Sequence, residues 1–159
     1  MNIKATILFE NDDRTVATWD HLVFVIWKKE TTVEGVNHVW SSIKNRGKTF
    51  DKGIIMVAIV KQDAAMPTPE ARSRLSSGLN DNELNVKASA VVYEGKGFRS
   101  AAVRSVVTGL AMVTKQIFPH KVFGDIDESA QWLVAEFAKA TKVNIAAADI
   151  VSAISSVET

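Results

Sequence analysis

The rhythm of apolar positions changes along this chain. Up to Trp27 it is short and strand-like: "ATILFE" alternates weakly, "NDDR" turns, "TVATW" resumes, and Asp20-His21 separates it from "LVFVIW". The Val, Phe, Ile and Trp content of that last run predicts a further strand, so the N-terminus reads as an antiparallel hairpin or meander. In "TTVEGVNHVWSSI" the period becomes helical, with Val36, Val39, Trp40 and Ile43 recurring at i, i+3, i+4 and i+7. Thr31, with Glu34 three residues on, has the form of a capping box and marks the expected helix start; Gly47 marks its stop.

Next, "DKGIIMVAIV" supplies a turn and seven unbroken apolar residues, Ile54 to Val60. Such a run suits a strand buried on both faces of a mainly parallel sheet. Thr68 as N-cap and Pro69 at N1 open the following helix, with Leu75 and Leu79 toward the core and Gly78 near the end. "VKASAVVYE" returns to strand. "FRSAAVRSVVTGLAMVTKQIF" is the clearest helix, carrying Val103, Val106, Val107, Leu110, Val113 and Ile117 on one face. "HKVFG" is a short strand after Pro119, and Asp127 is placed to cap a helix running through Ala130, Leu133, Val134 and Phe137.

The expected fold is therefore α/β: a single mixed, mainly parallel sheet, an N-terminal antiparallel hairpin or meander, and about four helices. Residues 1–139 form this domain, and residues 140–159 form a helical tail packing on the domain or a partner. Ile150, Ile154 and Val157 recur at helical spacing in the tail. That stripe either covers the chain's own sheet and helices or docks on another protein or a second copy of the chain.

Composition narrows the chemistry. A chain of 159 residues, 47% hydrophobic and 23% charged, can bury a sizeable core. Lys and Arg number 19 against 18 Asp and Glu, a net charge of +1, which gives no electrostatic reason to bind nucleic acid. Without cysteine, disulfides, thiol nucleophiles and thiolate zinc sites are excluded. "MNIKATILFENDDR" lacks the features of a signal peptide, and no apolar run approaches the ~20 residues of a membrane span, so a cytoplasmic location is expected.

The most suggestive local chemistry is "VVYEGKGFRSAAVRS", where a strand gives way to a helix through Gly95-Lys96-Gly97-Phe98-Arg99-Ser100. Backbone N–H groups near Ser100, with Lys96 and Arg99, are the ingredients of a helix N-terminal anion site. Ser100 stands where the dinucleotide pattern needs glycine, and the P-loop ending is missing, so a tight basic turn is the plainer reading. His21, His38 and His120 show no metal-ligand spacing. Asp12-Asp13, Asp81-Glu83 and Asp125-Asp127 fall in turns or caps, where Asp belongs, and no nucleophile elbow is present. No cofactor or catalytic residue is implied. Of the four tryptophans, Trp40 and Trp132 fall at or beside helix core positions, whereas an exposed Trp19 or Trp27 would mark a partner surface.

The element order resembles the STAS domain, in the branch similar to bacterial anti-sigma-factor antagonists. The resemblance rests on the hairpin feeding "WKKETTVEGVNHVW", the buried strand "GIIMVAIV" and the closing "VFGDIDESAQWL". It covers the chain as far as Phe137 and implies a non-enzymatic regulatory or scaffolding role through another protein. Regulatory members of that family carry a phosphorylated serine in an Asp-Ser-Ser-Gly-like stretch. Here "VKQDAAMPTPEARSRL" has no Asp-Ser pair, and Thr68 is the only hydroxyl at the helix start, both a cap and a weak phospho-acceptor. The expected contact surface comprises Thr68, Lys96, Gly97, Arg99, Ser100 and Arg104, at the ends of adjacent strands. The alternative is a small-molecule module using the Gly95–Ser100 loop for an anionic, nucleotide or lipid-like ligand.

Overall fold

Asn11 makes the first turn. Its side-chain oxygen accepts the N–H groups of Asp13 and Arg14, each at 2.9 Å. This folds β1 (Thr6–Glu10) back on β2 (Arg14–Trp19). Asp20 and His21 then join β2 to β3 (Leu22–Trp27), with Trp19 opposite Leu22. Asp20 sits at φ 49, a left-handed conformation that Asp tolerates because its short side chain bonds locally. The computed structural model describes residues 2–93, 101, 102, 104, 105 and 118–158.

From β3 onward the strands run parallel: β4 (Ile54–Val60), β5 (Val86–Val92) and β6 (His120–Phe123). The six strands lie side by side in chain order, so the sheet is mixed, with an antiparallel hairpin at one side. Helix α1 (Val33–Thr49) connects β3 to β4, and α2 (Pro69–Leu79) connects β4 to β5. Both cover one face, where Val36, Val39, Trp40, Ile43 and Leu79 meet Val23, Val25, Trp27 and Met56. After β6, α3 (Ile126–Thr141) and α4 (Ala147–Ser155) cover the other face. There Leu133, Phe137, Ile150 and Ile154 meet Phe24, Ile26, Val57 and Val92. Side chains alternate across a strand, so two covered faces require the unbroken apolar runs of β3 and β4.

Two helix starts differ from the sequence expectation. The cap of α1 is Thr32, not Thr31: Thr32 is extended (φ −99, ψ 160) and its Oγ1 accepts the Gly35 N–H at 3.0 Å. Thr31 is instead buried, 7% exposed. For α3 the cap is Asp125, whose carboxylate accepts the Asp127 N–H at 3.1 Å, leaving Asp127 in the first turn. Gly47 does not stop α1, which continues to Thr49. The N-cap of α2 is Thr68, accepting the Ala71 N–H at 3.2 Å, with Pro69 following.

Residues 101, 102, 104 and 105 are helical, within the stretch expected to form the clearest helix. Val103, Val106, Val107, Leu110, Val113 and Ile117 lie outside the described residues. Among the described residues no helix is long and apolar enough to cross a membrane.

Candidate functional site

Strand register builds the site. On the α1/α2 face it aligns Val23, Met56, Ser89 and His120 in one row across four strands. The next row toward the carboxyl ends is Val25, Ala58, Val91 and Val122, and beyond it Trp27 stands beside Val60. Over these rows α1 sets Val39 and Trp40, α2 sets Leu75 and Leu79, and the loop after β4 sets Ala65, Met66 and Pro67. Together they bound a cavity of about 120 Å³. It sits toward the carboxyl ends of the parallel strands, where open α/β sheets bind ligands. Ala58 shows its effect: in the middle of a central strand it is only half-buried, because the cavity lies over it.

The wall is mostly apolar, with Thr31, Ser89 and His120 the described residues that bring polar side chains. Ser89 is fully buried, and its Oγ lies 2.9 Å from Nδ1 of His120. Burial lowers the His120 pKa from 6.5 to about 4. The imidazole is therefore neutral at physiological pH. Either the serine hydroxyl donates to a bare Nδ1, or Nδ1–H donates to the hydroxyl; in both arrangements the ring is held from its Nδ1 side.

A stability change follows from that lowered pKa. The unfolded chain takes up a proton on this histidine below about pH 6.5, while the folded chain resists until about pH 4. Stability from His120 is thus complete above pH 6.5 and is lost as pH falls toward 4, by about 3 kcal/mol in all. Urea unfolding of the wild type and His120→Asn across this range measures it. Their stability difference should change with pH; a constant difference would show that His120 is not desolvated.

The structure places the other anticipated residues as follows. Thr68 is exposed at the corner after β4, beside Met66 and Pro67 of the cavity rim. Arg104 is exposed, and its guanidinium reaches over Gly124, just past β6. Thr68 and Arg104 thus belong to the carboxyl edge of the sheet but do not line the cavity. Lys96, Gly97, Arg99 and Ser100 lie outside the described residues. Ile150 and Ile154 are each 1% exposed in the chain's own core, and Val157 packs against the same cluster.

His21 lies between the rings of Phe50 and Phe137, and His38 lies against Phe9, both away from the cavity. Trp27 and Trp40 are buried and line the cavity, while Trp19 and Trp132 are half-buried. Among the described residues no cluster of His, Asp and Glu could hold a metal ion.

Ser89 and the cavity itself were missed from sequence. The available signal was weak: a lone hydroxyl in "VKASAVV", on the same strand face as Val91 but also as Lys87, so alternation alone did not mark it as buried. No protein-family model matches the chain, and no curated protein matches it. The site must be read from its own chemistry.

Proposed function

We propose that this chain is a non-enzymatic binding domain that holds a small apolar molecule under α1 and α2. The cavity carries the reading: an apolar recess toward the carboxyl edge of the parallel strands, bounded by strands, two helices and the loop after β4. The serine–histidine pair supports binding over catalysis. A base with a pKa of about 4 is too weak to take a hydroxyl proton at neutral pH. The cavity's described lining also includes no carboxylate to orient the ring.

A regulatory role of the STAS-like kind, through a protein partner, fits beside this reading for one reason. Met66, 39% exposed, belongs to the cavity rim two residues from the exposed Thr68. A ligand seated below would touch the loop that a partner could reach from outside.

Toluene is the first probe, followed by amide chemical shifts in the wild type and in Ala58→Phe. The wild type should bind with a Kd on the order of 1 mM or tighter, with shifts centred on β4, β5 and α2. In Ala58→Phe the new ring occupies the recess, so binding should disappear while the urea midpoint is held or raised. Binding that survives this substitution would place the ligand elsewhere and defeat the proposal.

A further inference from the structure

The lining says more about the ligand than that it is apolar. We infer that the cavity selects a neutral molecule of about phenol size, with an apolar body and a single hydroxyl that hydrogen-bonds to His120. The inference rests on the cavity being a ligand site, as proposed above.

Size comes first. A buried apolar cavity of roughly 150 Å³ accepts benzene, so the recess here, about 120 Å³ and partly open, suits one ring or its equivalent. Trp27, Trp40, Met56 and Met66 give it a polarizable wall that favours an aromatic body.

Charge comes second. The described lining contains no lysine or arginine. An anionic head would lose its water and meet no counter-charge among the described lining residues, which favours a neutral ligand. An ammonium likewise meets no carboxylate among the described lining residues.

The hydroxyl comes third. Ser89 engages one ring nitrogen of His120 and fixes the ring from within the sheet. Nε2 makes no hydrogen bond to a described residue, and the half-buried ring belongs to the cavity wall. A purely hydrocarbon ligand would strip water from that polar edge and replace it with nothing, whereas a hydroxyl restores a hydrogen bond. Ser89 acts through His120 and is a positioning residue.

Toluene, p-cresol and p-toluate form a matched set of probes that keeps the ring constant and varies one group. Binding to the full chain would be followed by amide shifts at pH 7. The expected order is p-cresol tighter than toluene by about tenfold, the worth of one hydrogen bond, with p-toluate weakest. His120→Phe should erase the p-cresol advantage, bringing the two affinities within about twofold of each other. Should that variant fail to fold, Ser89→Ala frees the imidazole and should shrink the same advantage. Equal binding of toluene and p-cresol overturns the hydroxyl selection but leaves the apolar cavity reading standing. Binding of p-toluate as tight as p-cresol overturns the neutral class. No binding of any probe overturns the cavity reading together with this one.

Discussion

Ile154→Ala should cost about 3 kcal/mol of folding stability, read from the urea midpoint at unchanged m-value. Ile154 lies on α4 at 1% exposure, in one cluster with Phe24, Ile26, Val57 and Phe137. Truncating it removes buried apolar surface and leaves a space that neighbours on a sheet and two helices cannot easily close. A docking stripe would behave differently. Its loss would leave the isolated chain within about 0.5 kcal/mol of wild type and weaken association instead. A near-zero change in stability would therefore show that α4 does not form part of the core.

Gly78→Ala sets two effects of opposite sign against each other. Alanine is the better helix former, by about 1 kcal/mol in a helix interior and by less at Gly78, the last residue but one of α2, and no unusual backbone angle there forbids it. Yet a methyl group there would overlap the indole of Trp40. Trp40 cannot yield freely, because its Nε1–H donates to the Arg74 carbonyl at 3.3 Å and its ring is packed in the core. Overpacking of this kind costs about 1–3 kcal/mol, so the clash should win and the variant should be less stable. The displaced indole belongs to the cavity wall, so toluene binding should weaken as well. Trp40→Phe makes room, and in its presence Gly78→Ala should become neutral or stabilising. A double-mutant cycle without coupling between the two positions would contradict the contact.

How much of this was readable in advance depends on the reach of each interaction. The unbroken run Ile54–Val60 declared a strand covered on both sides, because only that environment removes every polar position. Thr68 and Pro69 were legible because capping is local chemistry. Thr31 and Thr32 offer the same hydroxyl one residue apart. What separates them is burial of Thr31, a tertiary fact. Asp125 and Asp127 posed the same ambiguity at α3.

The cavity was illegible for a stronger reason. Ser89 and His120 are 31 residues apart and meet only through the pairing of β5 with β6. The tail's apolar stripe was visible, but a stripe does not name what it covers. Its partner is the sheet face built by the whole preceding chain.

The backbone N–H of Ala5 donates to Ser156 Oγ at 2.9 Å, joining residues 151 positions apart. During synthesis Ala5 leaves the ribosome long before Ser156, so the chain must extend past Ser156 before the bond can close. Until then the sheet face around Phe24, Val57 and Ala90 lacks the α4 side chains that complete its cover. Such long-range closure is slow, and exposed apolar surface invites aggregation while it is pending. The interval between synthesis of β6 and seating of α4 is when nascent-chain chaperones should be needed most.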